Sequence, residues 1–364
     1  MLPLLLKIPI YKLSYYFGFP LPVPLNFTIG VSYKCNSRCR TCNAWKKQVN
    51  ELSLKEWEKV FQSIGKGPYW FTFSGGEPFL KPDLVEMVEL AYRYCQPKII
   101  NIPTNGILWP LIPKKAKTIA QKCPQSQIII NLSLDGVGKQ HEEIRRIPSN
   151  WDFAMKTWQG LKEIQPELPN LELGIHSVIS NFNVDDFPHI YQELIKLQPD
   201  SYITEIAEER EELDTVNTGI TPPLEKYEKA IDFLINQIQK KRFRGISKIT
   251  QAFRINYYQI VKQTLREKRQ VIPCYAGITS AQISPDGEVW PCCIKAENMG
   301  NLRENEYNFM KIWYSEKAAR IRQKIKNKEC FCPLANASYT NMLVNPAVLL
   351  RVVFRLLFWS KNTK

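Results

Sequence analysis

Apolar runs of strand length alternate with longer segments of helical periodicity between residues 26 and 206. Strand side chains alternate between two faces, whereas helical side chains share a face every three to four residues. The pattern predicts strands at 26–32, 69–73, 98–102, 128–133, 171–178 and 201–206. It predicts helices between them at 54–64, 83–94, 114–122, 151–164 and 187–197, and two more at 224–240 and 249–269. Such alternation is typical of βα units around a parallel sheet.

Three cysteines follow the first predicted strand in a CxxxCxxC motif, at Cys35, Cys39 and Cys42. An electron-transfer [4Fe–4S] cluster usually has four cysteine ligands, so three thiolates leave one iron free to bind a small molecule. The alternatives are a zinc site or unrelated thiols. Zinc usually takes paired sets of Cys and His, and no fourth Cys or His stands near the triplet. The spacing therefore favours an iron–sulfur cluster with an open iron.

Two further motifs follow predicted strands. Ser74-Gly75-Gly76-Glu77-Pro78 comes after the second strand, and Leu132-Ser133-Leu134-Asp135-Gly136 includes the end of the fourth. Together with the cysteine triplet, and in this order, they resemble the radical S-adenosylmethionine (radical SAM) enzymes over residues 26–206. The resemblance implies an incomplete, TIM-like (β/α)6 barrel with its chemistry at the carboxyl ends of the strands.

The resemblance also implies a cofactor set. Cys35, Cys39 and Cys42 would hold the [4Fe–4S] cluster, and the amino and carboxylate groups of S-adenosylmethionine would chelate the open iron. One electron from a reducing donor, of flavodoxin or ferredoxin type, would then release a 5′-deoxyadenosyl radical that abstracts hydrogen from an unactivated C–H bond. In such enzymes the cofactor carries the difficult step, and the protein orients it.

The residues that follow the strands are candidate S-adenosylmethionine contacts. Gly75 and Gly76 allow close backbone approach, and their carbonyls with Glu77 can accept hydrogen bonds from the methionine ammonium. Pro78 stiffens the turn.

By the same resemblance, Ser133 and Asn105 contact the ribose or methionine portion, and Arg145 pairs with the methionine carboxylate. Asp135 has two readings, a turn residue or a site residue. The position before the third cysteine is Thr41, where the family often has an aromatic residue that packs on adenine. Trp45 stands nearby as a replacement.

A second cysteine group lies in the last third of the chain, and a Pro285-Asp286-Gly287 hairpin signal stands inside it. The group resembles the SPASM or shorter twitch extension of radical SAM enzymes. It implies one auxiliary [4Fe–4S] cluster ligated by Cys274, Cys292, Cys330 and Cys332, with Cys293 as an alternative to Cys292. A four-thiolate zinc site is the competing reading. Cys95 and Cys123 are predicted to be small buried residues.

These features divide the chain into five predicted parts. They are an apolar, basic N-terminal segment (1–25), the radical SAM partial barrel (26–215), a helical bridge (216–272), the auxiliary-cluster domain (273–340) and an amphipathic, basic C-terminal helix (341–364).

The net charge of +14 is concentrated at the two ends. Residues 1–50 hold seven Lys and Arg and no acid, and residues 317–364 hold ten against one acid, Glu329. This distribution argues against a specific nucleic-acid partner. Both ends are also apolar, and 345–359 predicts a helix with Arg351 and Arg355 on one face. Two readings stay open: peripheral membrane contact, or packing of the ends on the barrel, on each other or on a partner.

The cysteine usage suits a reducing cytoplasm, and the first residues make no convincing signal peptide because prolines interrupt them. No segment has the ~18 apolar residues that cross a bilayer. We therefore expect a cytoplasmic protein, with contact on the cytoplasmic membrane face as the open alternative.

The sequence predicts a radical SAM oxidoreductase or maturase with one auxiliary cluster. Its substrate is either a ribosomal peptide or a lipid-linked or other small molecule. The alternative from another class is a non-catalytic iron–sulfur redox or regulatory protein.

Overall fold

A computed structural model of the chain describes residues 6–243, 245–294 and 296–358. Within these ranges nine strands form one sheet: β1 (Asn26–Ser32), β2 (Trp70–Gly75), β3 (Ile99–Thr104), β4 (Gln127–Ser133), β5 (Leu171–Ile179), β6 (Ser201–Ile206), β7 (Ser280–Ile283), β8 (Glu288–Trp290) and β9 (Gly300–Asn301). Their order is β6-β5-β4-β3-β2-β1-β7-β8-β9. Strands β1 to β6 pair in parallel with their sequence neighbours, as βα units require.

The described helices alternate with the strands and then form the bridge and the ends. They are α1 (Ile8–Phe17), α2 (Leu54–Ile64), α3 (Leu84–Cys95), α4 (Leu111–Lys122), α5 (Lys139–Arg145), α6 (Asn150–Ile164), α7 (Phe187–Ile195), α8 (Leu224–Lys240), α9 (Gly245–Glu267), α10 (Phe309–Trp313), α11 (Glu316–Lys326), α12 (Ala335–Val344) and α13 (Pro346–Phe358).

The six predicted strands and the seven helices predicted with them are confirmed, with small shifts at their ends. Strands β2 and β3 run two residues further than the apolar pattern, to Gly75 and Thr104, because backbone pairing continues past the last apolar residue. The sequence pattern did not predict α5, a helix of seven residues that ends at Arg145. It also did not predict α1, where Pro9 falls in the first turn and does not interrupt the helix.

The C-terminal extension joins the barrel sheet through β7, which pairs in parallel with β1. The predicted hairpin is present, with β7 and β8 antiparallel and Gly287 at φ +90° in the turn. A side chain at Gly30 of β1 would meet Pro285 Cδ at 2.8 Å. Glycine at position 30 therefore lets the hairpin pack directly on the first barrel strand.

A second contact fastens the extension to the outer layer of the barrel. Ser53 and Glu56 form a capping box at the start of α2. The Glu56 carboxylate also accepts hydrogen bonds from Arg303 Nε at 2.7 Å and from the Tyr307 hydroxyl at 2.9 Å. Hydrogen bonding from Arg303 lowers the pKa of Glu56 to about 2.

The two ends of the chain form helices that pack on α12. Tyr11 and Tyr15 of α1 are buried, and the Tyr11 hydroxyl donates to the Val23 carbonyl at 2.7 Å. No single helix among the described residues is long and apolar enough to cross a membrane. One pair, Ala337–Val344 with Pro346–Phe358, reaches that length and composition together but is bent by 87°.

We predict that Glu56→Gln destabilises the fold by about 1–2 kcal/mol at neutral pH, because the cap and the bond to Arg303 both weaken. The folded-state pKa lies below the ordinary value of 4.5. The contribution is therefore present above about pH 4.5 and is lost as the pH falls towards 2. Urea unfolding of both proteins between neutral and acidic pH measures this.

The matched control is Glu225→Gln, an exposed acid in the first turn of α8. We expect its effect to stay within about 0.5 kcal/mol. An equal loss in both variants, or a loss at Glu56 that does not change with pH, would contradict the prediction.

Candidate active site

A cavity opens at the carboxyl ends of the barrel strands, and we call it the strand-end cavity. Nine of the ten residues predicted to bind the cluster or S-adenosylmethionine line it: Cys35, Cys39, Cys42, Gly75, Gly76, Glu77, Asn105, Ser133 and Arg145. The tenth, Pro78, is buried at the start of a short 3₁₀ helix, Pro78–Leu80, and is not among the lining residues. The structure therefore brings together residues from the loops after β1, β2, β3 and β4 and from α5.

The cysteine loop is held from several sides. The Arg38 and Arg40 backbone amides donate to the Arg145 and Ile144 carbonyls at 3.2 and 2.9 Å, and the Asn43 amide donates to the Leu213 carbonyl at 2.9 Å. Burial raises the pKa of Cys35 to about 11 and that of Cys42 to about 12. The free thiols are therefore neutral at pH 7, and metal binding would release their protons.

The two glycines of the second motif lie against the cysteine loop. The Gly76 amide donates to the Ser32 carbonyl at 2.7 Å, and the Glu77 amide donates to the Lys34 carbonyl at 2.9 Å. A Cβ atom would lie 2.3 Å from Ser32 O at Gly75, which has φ +122°, and 2.2 Å from Lys34 O at Gly76. Both glycines are required by the approach of neighbouring backbone, whatever ligand the cavity holds.

The Glu77 side chain is buried and already has protein partners. Its carboxylate accepts hydrogen bonds from the Thr104 hydroxyl at 2.8 Å, the Asn105 amide at 2.8 Å and the Phe79 amide at 3.2 Å. Burial raises its pKa to about 7, although these bonds oppose the rise. Glu77 thus ties the end of β2 to the end of β3. A carboxylate has about four acceptor sites, so a role towards the methionine ammonium stays a prediction.

Arg145 and Asp135 form a buried ion pair at the cavity wall. Arg145 Nη2 lies 2.7 Å from Asp135 Oδ2, and Arg145 Nη1 donates to Cys39 Sγ at 3.7 Å. Asp135 Oδ1 also accepts from the Val178 amide at 2.8 Å. Burial disfavours the charge, but Asp135 and Cys39 outweigh it and raise the pKa of Arg145. Asp135 therefore holds Arg145 in position and is a site residue as well as a turn residue.

Several residues that line this cavity carry a buried polar atom without a protein partner. Among the described residues, Arg145 Nε, Ser37 Oγ and Trp45 Nε1 are buried without a hydrogen bond, and all three residues line the cavity. The side-chain nitrogen Nδ2 of Asn105 donates to Asn36 Oδ1 at 2.7 Å, beside Cys35. Buried polar groups are normally satisfied. Three soft thiols with unsatisfied donors around them fit a thiolate-bound cluster and a polar ligand.

Thr41 and Trp45 both line the cavity. The Arg38 guanidinium lies 4.4 Å from the centre of the Trp45 ring. One face of the Trp45 ring is therefore covered by Arg38, and packing of Trp45 on adenine stays a prediction.

The segment after β6 contributes charged residues to the cavity. Glu208, Arg210 and Glu212 line the cavity, and burial raises the pKa of Glu208 to about 7. Arg210 lies 3.5 Å from Glu212 Oε2 and also 3.5 Å from Cys293 Sγ. In a sequence, an acidic run such as 208–212 usually indicates a solvated surface. The fold instead brings this run to the cavity.

A second cavity, the extension cavity, lies between the bridge helices and the extension. Cys274, Cys292, Cys330 and Cys332 all line it, whereas Cys293 is absent from its lining and contacts Arg210. Burial raises the pKa of Cys274 to about 12 and that of Cys332 well above its ordinary value. Four soft thiols facing one cavity fit a thiolate-held cluster. In the described ranges no three Cys, His, Asp or Glu residues converge closely enough for a single metal ion.

Cys95 and Cys123 are buried in the core, as predicted. Cys95 donates to the Phe61 carbonyl at 3.5 Å.

Comparison with known protein families identifies the class. A model of the radical SAM superfamily matches residues 29–194, and a model of the SPASM iron–sulfur cluster-binding domain matches residues 274–333. The chain therefore contains a radical SAM domain, folded as an incomplete (β/α)6 barrel, and a SPASM-type extension. Its cofactors are accordingly a [4Fe–4S] cluster, S-adenosylmethionine and an auxiliary iron–sulfur cluster, so the zinc reading of the extension is not supported.

Two curated relatives match most of the chain. Fe-coproporphyrin III synthase of Methanosarcina barkeri is 24% identical in an alignment of 322 positions that covers 81% of this chain and 75% of that protein. The antilisterial bacteriocin subtilosin biosynthesis protein AlbA of Bacillus subtilis is 20% identical over 85% of this chain and 65% of its own length. The crystal structure of Streptococcus suis SuiB bound to S-adenosylmethionine has a TM-score of 0.59 and 17% identity, covering 85% of this chain and 70% of SuiB. This likeness supports the fold.

We predict that Gly76→Ala lowers the stability of the strand-end cavity, because its Cβ would overlap the Lys34 carbonyl at 2.2 Å. The expected result is a loss of at least about 2 kcal/mol in unfolding free energy, with reduced iron content after anaerobic reconstitution. Denaturant unfolding and iron analysis measure the two effects.

The matched control is Gly300→Ala in β9, where the nearest atom is a side-chain carbon of Ile312 at 3.1 Å. A flexible side chain can move where a backbone carbonyl cannot, so we expect the smaller loss there. Equal losses at the two glycines would show that the contact with Lys34 is unimportant.

Proposed function

We propose that this protein reductively cleaves S-adenosylmethionine in the strand-end cavity and uses the resulting radical to abstract hydrogen from a substrate C–H bond. The observation that carries the proposal is the convergence of the three cysteines with Gly75, Gly76, Glu77, Asn105, Ser133 and Arg145 around one cavity. A flavodoxin- or ferredoxin-like protein is the proposed electron donor.

In this proposal Cys35, Cys39 and Cys42 hold the [4Fe–4S] cluster. When bound, the cluster and S-adenosylmethionine supply the electron transfer and C–S cleavage that generate the 5′-deoxyadenosyl radical. Arg145 keeps its positive charge, because Asp135 lies 2.7 Å away, and the residue lines the cavity. It is thus suited to orient the methionine carboxylate.

The other cavity residues complete the ligand site. Ser133 and Asn105 supply a hydroxyl and an amide for the ribose or methionine portion. Glu77 holds the loop after β3 in place through Thr104 and Asn105. Such preorganised surroundings position the reacting atoms and exclude water, which protects a radical from side reactions.

We assign Cys274, Cys292, Cys330 and Cys332 as the ligands of the auxiliary cluster. Cys292 is preferred over Cys293 because it faces the same cavity as the other three thiols. Cys293 Sγ is instead within 3.5 Å of Arg210. An auxiliary cluster suits an oxidation or a crosslinking reaction, since it can take up an electron from the substrate.

We predict that Cys39→Ala abolishes 5′-deoxyadenosine formation with dithionite and S-adenosylmethionine, and that it removes about half of the bound iron. Cys332→Ala should also lose about half of the iron but retain slow formation of 5′-deoxyadenosine. Iron analysis and chromatography of the nucleoside measure both effects. Circular dichroism checks that each variant is folded, because cluster binding is coupled to folding.

Cys123→Ala is the matched control, because that thiol is fully buried in the core and lines neither cavity. It should keep all of its iron. If the unaltered protein binds two clusters but forms no 5′-deoxyadenosine, the alternative of a non-catalytic iron–sulfur redox or regulatory protein replaces this proposal.

We further propose that the substrate is a peptide. One relative is named for bacteriocin biosynthesis, and SuiB has been solved with a precursor peptide. The other relative is named for a porphyrin product. The described lining of the strand-end cavity holds one aromatic residue, Trp45, and the charged residues Glu208, Arg210 and Glu212. Charged side chains and a single aromatic ring suit a peptide better than a large flat macrocycle, which needs broad apolar faces.

Hydrogen transfer can test the substrate class without knowing the substrate. Cells that make this chain are grown in fully deuterated medium, and their extract is separated into peptide, lipid and water-soluble small-molecule fractions. Each fraction is incubated with the reconstituted enzyme and unlabelled S-adenosylmethionine. We expect the peptide fraction alone to give 5′-deoxyadenosine one mass unit heavier.

Deuterium from the lipid fraction would instead support a lipid-linked substrate, and deuterium from the small-molecule fraction would remove the peptide proposal. Heat-treated enzyme with the same fractions is the control for exchange.

A further inference from the structure

The C-terminal helix α13 faces solvent with its apolar side. Val348 and Val352 are buried, and the helix packs on α9 and α12. Leu350, Phe354 and Leu357 are 70, 64 and 66% exposed. Together with Val353 they form a continuous strip, which we call the α13 stripe. A helix on the surface of a soluble protein normally turns polar residues outward, so this stripe is suited to contact something apolar.

The only charged residues of α13 are Arg351 and Arg355. Residues 330–358 contain no acid, and Arg355 Nε is buried without a hydrogen-bond partner among the described residues. Burial lowers the pKa of Arg355. The guanidinium is thus partly desolvated with its Nε–H unused, an arrangement that an anion would stabilise.

The stripe forms one wall of an open groove with a volume of about 960 Å³. The facing wall consists of Asn236, Gln239 and Lys240 from α8 and Asn256 and Gln259 from α9. None of the twelve described lining residues is acidic. The groove thus combines an apolar wall, two arginines and a row of amides, which are the chemical features of a phospholipid site.

We propose that the α13 groove binds the surface of an anionic phospholipid bilayer, with acyl chains against the α13 stripe and phosphates beside Arg351 and Arg355. Amphipathic helices with apolar and basic faces bind anionic membranes in this way. Binding along the surface agrees with the 87° bend between α12 and α13 and with the burial of α12, which leave no straight segment to cross.

A second copy of the chain is a less favourable occupant. A twofold contact would bring each basic groove against its own copy, and like charges facing each other oppose association.

Helix α1 adds to the membrane proposal, because it exposes Leu13, Tyr16 and Phe17 and holds Lys12 as its only charge. Trp359, the last residue of the predicted helix 345–359, lies outside the described residues.

The test uses the full chain with its clusters and flotation on vesicles of phosphatidylcholine with or without phosphatidylglycerol. We expect binding to the anionic vesicles that weakens as salt is added. Arg351→Gln with Arg355→Gln should weaken it about 25-fold, since each basic residue near the surface contributes about fivefold. Leu350→Ser with Leu357→Ser should weaken it at least about tenfold.

The charge-matched control is Lys317→Gln with Arg320→Gln on α11. These two residues are exposed and do not line the groove, so we expect less than about a twofold change. An equal loss in this control would reduce the effect to general attraction by a basic chain and overturn the proposal.

Light scattering gives a second readout that does not depend on any variant. A concentration-dependent dimer that fails to float with anionic vesicles would overturn the membrane proposal, as would equal binding to neutral vesicles at all salt concentrations. Formation of 5′-deoxyadenosine is measured on the same samples. It should not change in the α13 variants, so failure of lipid binding and failure of the proposed catalysis can be told apart.

Discussion

The close approach of the β2 end to the cysteine loop is the contact on which the rest of the site depends. Gly76 and Glu77 donate backbone hydrogen bonds to Ser32 and Lys34, immediately before Cys35. The carbonyls of Ser32 and Lys34 occupy the space where side chains at Gly75 and Gly76 would begin. These bonds fix the path of the chain between the end of β1 and Cys35. The Glu77 carboxylate in turn holds the end of β3 and the loop after it through its hydrogen bonds with Thr104 and Asn105. Two glycines and one buried acid thus align three strand ends.

Burial and ion pairing determine which side chains of the strand-end cavity carry a charge. Burial drives the thiols of Cys35 and Cys42 and the carboxyl of Glu77 towards their neutral forms, as their raised pKa values indicate. Arg145 stays charged because Asp135 is beside it. A buried ion pair contributes little net stability compared with apolar residues of the same size, so a charged Arg145 in the cavity wall suits the binding of an anionic group better than it suits stabilisation of the fold. Desolvation also strengthens that interaction.

Local features were predictable from the sequence, and contacts between distant segments were not. Periodicity predicted β1 to β6, and the Ser53 cap follows from short-range hydrogen bonding. The pairing of Asp135 with Arg145 depends on α5, a seven-residue helix too short for a periodic signal. The choice of Cys292 over Cys293 depends on how the chain leaves β8, since adjacent residues point in different directions. The parallel pairing of β7 with β1 likewise joins segments 250 residues apart and has no local signature.

Arg210 connects the two cavities electrostatically. It lines the strand-end cavity, where its charge favours the thiolate of Cys42, and it donates to Cys293, the neighbour of Cys292 in the extension cavity. Clusters held by thiolates carry net negative charge, and nearby charges and hydrogen bonds adjust their reduction potentials. With both clusters bound by their proposed cysteines, one guanidinium near the two sites would lessen the repulsion between them. The ion pair of Arg210 with Glu212 would moderate this effect.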